Sequence, residues 1–170
     1  MNFLVKGATI KFTGRLTEST DFRVIMGAIV TASQVPGKDR VRLDFEDVTH
    51  ANSAGIFGWI RMINTVTVPV SYYRVRSWMV ESWNMIPDFF KVDVLVESIE
   101  AHYYDASSDL NFSSFLVLGK DVPFLKSYAS YEISDREVSG TIARPDFDPA
   151  YFAFISTHYE LLSRFVPPKD

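Results

Sequence analysis

The sequence predicts an α/β protein, in which a β-sheet with helices packed on it is followed by a smaller, mostly β module that ends in a helix. Three observations predict this class. Segments with the period of strands alternate with segments of helical period along the first hundred residues. From about residue 92 the helical period is replaced by successive β-like stretches. The 170 residues are 47% hydrophobic and 22% charged, a composition typical of a chain that buries a core.

The chain is expected to begin with paired strands and a helix. Apolar and polar side chains alternate over residues 3–12, and Gly7 and Gly14 are natural turn points. Asp21 precedes apolar side chains spaced by three and four, which predicts an amphipathic helix that the Asp21 carboxylate caps. The Pro-Gly pair at residues 36–37 is expected to end this helix.

A strand, a turn and a second helix are expected next. Residues 40–45 alternate most regularly, so they predict a strand with its apolar side chains on one face. The polar residues that follow predict a short turn, and the apolar pattern after this turn predicts a helix. The inward positions of this helix are Ile56, Trp59, Ile60 and Ile63. A strand is expected at residues 68–75. A short helix is expected at residues 79–85, and Pro87 stops it.

The second half is expected to be mostly β. Val92, Val94 and Val96 alternate with other residues, which predicts a strand. Residues 113–118 and 127–143 are polar or aromatic stretches that lack a helical period. They are therefore expected to form further strands.

A helix is expected near the end of the chain. Asp148 and Pro149 are residue types that favour the N-cap and the first position of a helix, and apolar side chains recur at three and four from Phe152 to Phe165. The pattern changes near residues 97–101 without a Gly/Ser linker. We therefore expect two tightly docked units, residues 1–98 and 99–170.

Composition excludes several classes of function. The 17 basic and 21 acidic side chains give a net charge of −4, which disfavours sequence-independent nucleic-acid binding. The absence of cysteine excludes disulfides, thiol nucleophiles and cysteine-ligated zinc. No apolar run approaches the roughly 20 residues that span a membrane, and the first residues lack the pattern of a signal peptide. The expectation is a cytoplasmic protein without nucleic-acid or membrane partners.

Catalytic and metal-binding patterns are weak. His50, His102 and His158 are far apart and form no spacing typical of a metal site, and no glycine-rich phosphate loop is present. We therefore expect no metal, no cofactor and no enzymatic activity. One alternative from another class stays open, a small enzyme that uses His50 with Asp44 or Asp47 in a pocket.

The most informative stretch is residues 41–60. A strand is followed by Asn52 and Ser53 at the expected start of a helix, where either side chain can accept a hydrogen bond from the free amides of the first turn. Gly55 and Gly58 would allow a neighbouring strand or a partner's backbone to approach closely. These residues alone favour a serine that merely lies near the start of a helix.

This stretch resembles the signature of the STAS domain, which is named for sulphate transporters and anti-sigma-factor antagonists. Leu43-Asp44-Phe45 and Asn52-Ser53-Ala54-Gly55 occupy the places of its strand end and of its Asp-Ser-Ser-Gly or Asp-Ser-Ala-Gly helix start. The expected order of strands and helices agrees over residues 3–96. The resemblance implies a sheet of the STAS type with helices packed on it.

The resemblance also implies a function. In antagonist members the serine is phosphorylated by a partner kinase that is also the anti-sigma factor, and only the dephosphorylated form binds the partner. By motif position this serine is Ser53. A phosphate carries about −1.5 to −2 charges, and a helix N-terminus stabilises an anion by roughly 0.3–1 kcal/mol. The chain departs from the family at Asn52, where aspartate is usual, and so lacks the charge that a kinase could recognise.

The function expected from these observations is that of a non-catalytic bacterial regulatory protein that binds a partner in the manner of anti-sigma-factor antagonists. Its partner would be a regulatory protein such as a serine kinase. Constitutive binding with an unmodified Ser53, and a homodimeric scaffold that buries an aromatic surface against itself, are the alternatives. The expected surface comprises the polar turn from Asp47 to Ser53 and the following helix, with Asp47, Thr49, His50, Asn52, Ser53, Ile56, Phe57 and Met62 as the contact residues.

The second unit faintly resembles a zinc ribbon that follows some bacterial STAS-like domains. Asp105 and Ser108, in the expected turn 105–109, occupy the positions of a first cysteine pair, and residues 145–154 resemble the closing run of the ribbon. The resemblance implies a degenerate ribbon without metal; an unrelated β extension is the alternative. Without zinc, the core would depend on the aromatic residues Tyr103, Tyr104, Phe112, Phe115, Phe124, Tyr128 and Tyr131.

Overall fold

Two β-sheets form the frame of the molecule. The computed structural model describes residues 1–90, 94–138 and 140–167. The first sheet has five strands in the order of the sequence; β1 is antiparallel to β2, and the other neighbours are parallel. Its strands are β1 (Asn2–Lys6), β2 (Thr9–Leu16), β3 (Val41–Ala51), β4 (Val70–Tyr73) and β5 (Val94–Val96). The α/β class predicted from the sequence is therefore confirmed.

Helices connect the parallel strands of this sheet. They are α1 (Phe22–Ala32), α2 (Ser53–Ile63) and α3 (Ser77–Met85), and a short 3-10 turn (Pro87–Phe89) leads towards β5. The predicted Asp21 cap is confirmed, because an Asp21 carboxylate oxygen accepts hydrogen bonds from the amides of Arg23 and Val24 at 3.1 and 3.3 Å. The apolar faces of α1 and α2 pack on the sheet through Ile25, Ile29, Trp59 and Ile63, all buried.

The third strand is longer than its sequence pattern predicts. Residues 47–51, for which we expected a polar turn, continue β3 and pair with residues 13–16 of β2. The register between β2 and β3 shifts twice, and each shift places an extra residue in β3. Such bulges reverse the alternation of side chains, so the sequence of the strand loses the period of two by which a strand is recognised. The predicted turn at Gly14 is also wrong, since Gly14 lies within β2 at φ +89° beside the second shift.

Other boundaries differ by a few residues. Helix α1 ends at Ala32, before the Pro-Gly pair, and the strand predicted at 68–75 is shortened to β4. Val92 lies outside the described residues, while Val94 and Val96 belong to β5 as expected.

The second sheet is antiparallel and confirms the predicted β module. Its strands are β6 (Ser98–Asp105), β7 (Leu110–Val117), β8 (Arg136–Val138) and β9 (Thr141–Pro145), in the order β7-β6-β9-β8. The expected turn lies between β6 and β7, but residues 127–135 form no strand. The predicted C-terminal helix is divided into a 3-10 turn (Pro149–Phe152), α4 (Ala153–Thr157) and α5 (Tyr159–Leu162), with Asp148 as its N-cap.

The two sheets share one core. Val75, just after β4, bridges to Ile99 of β6, and its backbone exchanges hydrogen bonds with Ser98 and Glu100 at 3.1 and 2.7 Å. The rings of Trp83 in α3 and Phe154 in α4 lie 5.1 Å apart. The division into domains 1–98 and 99–170 stays a prediction, because the buried side chains form one cluster across it.

Aromatic side chains build much of this core. Phe12, Phe45 and Trp59 form a buried group with ring centroids 5.1–5.5 Å apart. The Trp59 indole donates a hydrogen bond to the Tyr72 hydroxyl at 3.0 Å, and burial raises the pKa of Tyr72. In the second unit Tyr128 packs on Phe152 at 5.3 Å. The aromatic content of the chain is therefore used mainly inside the molecule. Among the described residues, no helix is both long enough and apolar enough to cross a membrane.

His158 is a polar group in this apolar environment. Its ring lies 4.5 Å from that of Phe90, and its Nε2 atom is buried without a hydrogen-bond partner in the described part of the chain. Burial lowers the pKa of His158 below its ordinary value of 6.5, because the apolar surroundings disfavour the charged ring. The junction between α4 and α5 therefore favours neutral histidine.

We expect this burial to make folding sensitive to mild acid. The unfolded chain binds a proton at His158 more readily than the folded protein does, so the free energy of unfolding falls as the pH drops below 6.5. The contribution is complete above that pH. Urea unfolding at several pH values between about 5.5 and 7.5 should show a weaker pH dependence for His158→Gln than for wild type. His50→Gln, at an exposed position, is the control; equal pH dependence in wild type and His158→Gln would contradict the expectation.

Candidate functional site

The start of α2 is fixed by Asn52. Its side-chain oxygen accepts a hydrogen bond from the Gly55 amide at 2.8 Å, which is the N-cap interaction expected from the sequence. Its side-chain nitrogen donates to a carboxylate oxygen of Glu18 at 2.5 Å, and its backbone amide donates to the Leu16 carbonyl at 3.1 Å. The hydrogen bond from Asn52 lowers the pKa of Glu18. Asn52 therefore connects the helix start to the chain that leaves β2.

Two glycines bring α2 close to its neighbours. A Cβ atom at Gly55 would lie 2.7 Å from the Thr17 amide nitrogen and closer still to the Leu16 carbonyl. A Cβ atom at Gly58 would lie 2.6 Å from an atom of the Phe22 ring and overlap it further. The expected close approach is therefore confirmed at Gly55, where the neighbour is the backbone after β2. At Gly58 the neighbour is an aromatic ring of α1 instead.

The outer face of α2 carries an exposed stripe. Ser53, Phe57 and Arg61 are four residues apart, which places them close together on one side of a helix, and all three are exposed. The Phe57 side chain is 53% exposed. Ile56 is half-buried, and Met62 is only 6% exposed and packs in the core. Met62 was wrongly placed on the expected contact surface, because it lies on the side of α2 that faces the sheet.

The other expected contact residues lie on a strand and not on a loop. The Asp47 carboxylate forms an ion pair with Lys11 of β2, with 2.9 Å between Oδ2 and Nζ. Glu46 also pairs with Lys11, with 3.1 Å between Oε2 and Nζ. These two acidic side chains raise the pKa of Lys11. The Thr49 hydroxyl donates to the Gly14 carbonyl at 3.3 Å, and His50 is exposed. The end of β3 therefore presents a polar strand beside the start of α2.

The alternative catalytic pair is not assembled. Asp44 is 2% exposed and is paired with Arg74, which also pairs with Glu46. His50 lies six positions after Asp44 along β3, which corresponds to roughly 15–20 Å along a strand. Asp47 is nearer but is engaged by Lys11. The structure thus gives His50 no acidic partner from this set.

The sequence does not predict the ion pairs that lie on the polar face of the first sheet and between the start of α3 and the second sheet. Arg42 pairs with the buried carboxylate of Glu97 through Nε at 3.0 Å and Nη2 at 2.7 Å. Arg76 pairs with Glu100 at 3.0 Å. The alternation of residues 40–45 indicates which side chains share a face, but the partners come from distant strands. Arg74 and Arg76 are therefore both paired with acidic side chains within the chain.

A serine–histidine contact was also missed. The Ser77 hydroxyl lies 2.9 Å from Nε2 of His102, and the Ser113 hydroxyl lies 3.2 Å from Nδ1 of the same ring. A catalytic triad needs a carboxylate that orients the imidazole, and here that position holds a hydroxyl. The Glu100 carboxylate nearby accepts from the Ser77 amide and pairs with Arg76. This contact therefore joins α3 to the second sheet.

The turn between β6 and β7 is held by a carboxylate. Asp105 accepts hydrogen bonds from the amide and hydroxyl of Ser107 at 2.8 and 2.7 Å and from the Ser108 hydroxyl. These donors lower the pKa of Asp105. Among the described residues, no group of three or more histidine, cysteine, aspartate or glutamate side chains could hold a metal ion. The degenerate zinc ribbon stays a prediction.

Comparison with known proteins gives a distant structural likeness. The chain resembles a solved structure described as "Structure of the Anti-Sigma Factor Antagonist SpoIIAA in its Unphosphorylated Form". The two chains are 19% identical, the match covers 50% of this chain and 84% of that chain, and the TM-score is 0.33. No protein-family model and no curated protein matches the chain.

We expect Gly55 to be essential for the placement of α2. Gly55→Ala should lower the free energy of unfolding by about 1–3 kcal/mol or more, because its Cβ would overlap backbone atoms that cannot rotate away. Gly27→Ala in α1 is the matched control, since nothing lies within 4 Å of a Cβ there. This substitution should stabilise the protein by roughly 0.5–1 kcal/mol through helix propensity. Chemical denaturation measures both; a neutral Gly55→Ala would show that the contact at Leu16 does not constrain the helix.

Proposed function

We propose that this chain is a non-catalytic regulatory protein of the cytoplasm that binds a partner protein. The observation that carries the proposal is the exposed stripe of Ser53, Phe57 and Arg61 on an otherwise well-packed helix. We call the proposed contact region the α2 surface; it comprises Asp47, Thr49, His50, Asn52, Ser53, Ile56, Phe57 and Arg61.

The composition of the α2 surface suits a protein contact. An exposed aromatic side chain surrounded by polar groups is typical of the residues that dominate binding energies at interfaces. Phe57 supplies the aromatic group, and the end of β3 supplies polar side chains on one side of it. The surface rests on a strand and a capped helix, so little conformational entropy is lost when a partner binds.

Phosphorylation of Ser53 would switch this surface. Ser53 is the first residue of α2 and is exposed, so a kinase can reach its hydroxyl. A phosphate there is compatible with the helix, because free amides and the helix dipole favour an anion at this end. It would also add about −1.5 to −2 charges one turn from Phe57 and so oppose a partner that fits the neutral surface. Residues 52–55 resemble the STAS motif. This resemblance supports a partner protein that is both a serine kinase and an anti-sigma factor.

The homodimer alternative has less support. It requires an aromatic surface that two copies could bury, whereas the exposed large apolar side chains in the described residues include one aromatic, Phe57. The remaining exposed apolar side chains are aliphatic and lie on several different elements. We therefore favour a heterologous partner.

We expect Phe57→Ala to abolish capture of the partner. Affinity capture from native cells should retain a defined protein with wild type and lose it with Phe57→Ala, since removal of an interface aromatic typically costs about 2 kcal/mol or more. Met85→Ala removes a more exposed apolar side chain from α3 and is the matched control. Equal capture by wild type, Phe57→Ala and Met85→Ala would count against the α2 surface.

The switch is tested separately at Ser53. Phosphopeptide analysis of the protein from native cells should detect phosphate on Ser53 under at least one growth condition. Ser53→Asp should capture less partner than Ser53→Ala, because only the aspartate adds charge. Ser53 unmodified under every condition, with equal capture by both variants, would leave constitutive binding as the function.

A further inference from the structure

A cleft lies at the end of the first sheet opposite the α2 surface. Its volume is about 600 Å³, within the range of small-molecule sites. Three segments surround it, namely the β1–β2 turn, the connection from α1 to β3, and the chain that follows α5. The floor is formed by side chains of β3, β4 and β5, including Arg42, Ser71 and Leu95. Both units of the protein therefore contribute to this cleft.

The lining of the cleft has an excess of positive charge. Lys6, Lys38 and Arg164 come from the three surrounding segments, and all are exposed. The side chains of these three residues have no hydrogen bond or ion pair to any described residue. Cations that line one concave surface raise the local concentration of anions. The three cations therefore favour an anionic ligand.

The acidic groups in the lining do not cancel this charge. Glu97 is held by Arg42 through two contacts and accepts a hydrogen bond from the Ser71 hydroxyl at 2.5 Å. Asp39 lies 3.5 Å from Arg40. Each acid therefore has its own arginine, and the excess of three positive charges remains.

Arg42 is well placed to contact a ligand. Its guanidinium lies 4.6 Å from the centre of the Tyr73 ring, which with Glu97 fixes its orientation. The ion pair with Glu97 uses Nε and Nη2 of the guanidinium, so Nη1 is the guanidinium nitrogen that does not contact Glu97. The Arg42 side chain is 42% exposed despite these contacts. An oriented guanidinium loses little entropy when it binds an oxyanion.

One wall of the cleft is apolar. Val35, Phe165 and Val166 line it from the α1–β3 connection and from the chain after α5, and Leu95 contributes from the floor. Val166 is 79% exposed. An apolar ligand group that covered it would remove apolar surface from water, which is favourable. The lining thus combines cations with an apolar wall.

We propose that this cleft binds a small organic phosphate, with its phosphate among Lys6, Lys38 and Arg164 and its apolar part against Phe165 and Val166. A phosphate monoester carries close to two negative charges near neutral pH, which matches three cations better than a single carboxylate does. The proposal is independent of the partner-binding function, because no residue is shared with the α2 surface.

Phenyl phosphate is the probe, with inorganic phosphate and benzoate as comparisons. Titration of the full chain, followed by amide chemical shifts at about pH 7.5 and low salt, should give saturable changes at Gly7, Leu95 and Val166. Phenyl phosphate should bind more tightly than inorganic phosphate, which lacks the apolar part, and than benzoate, which carries one charge. Tighter binding of benzoate would overturn the phosphate assignment.

A charge-reversal variant tests the site itself. Lys38→Glu should weaken phenyl phosphate binding by about tenfold or more, since it replaces a charge-assisted contact by repulsion. Arg144→Glu makes the same change of charge at an exposed position on β9 and should leave binding unchanged. Arg164→Glu repeats the test from the second unit if Lys38→Glu alters the amide spectrum outside the cleft. Absence of saturable shifts in the cleft, or equal weakening by Arg144→Glu, would refute the proposal.

Discussion

The first turn of α2 lies against the chain that leaves β2 with no room for a side chain at Gly55, and the placement of the helix depends on this contact. Gly58 allows the Phe22 ring of α1 to fit against the next turn. With both glycines in place, Trp59 enters the core on the inner face of α2, while Ser53 and Phe57 remain outside. The exposed stripe is therefore a consequence of how closely the helix is packed on its other side.

The polar face of the first sheet is stabilised differently. Its charged side chains are joined in pairs across strands, as in Arg42 with Glu97 and Arg74 with Asp44. Buried charges need such partners, since an isolated one would be strongly destabilising. One strand, β3, contributes to both proposed sites, with the cleft at its start and the α2 surface at its end.

Local signals in the sequence predicted much of this arrangement. The caps at Asp21 and Asn52 and the helical period after them locate α1 and α2, since both depend on residues close in sequence. The length of β3 could not be predicted, because its bulges interrupt the alternation and only pairing with β2 reveals the strand. The ion pairs and the cleft escaped prediction because they join residues distant in the chain. The wrong placement of Met62 on the contact surface could have been avoided. Met62 is nine residues after Ser53, which corresponds to about 180° around a helix.

Asn52 also joins an acidic side chain to the start of α2. Its side chain accepts from the Gly55 amide and donates to Glu18 at the same time. Aspartate could make the first contact but not the second, and its charge would repel Glu18. Asn52, the residue that precedes Ser53, thus holds the carboxylate of Glu18 at the start of α2.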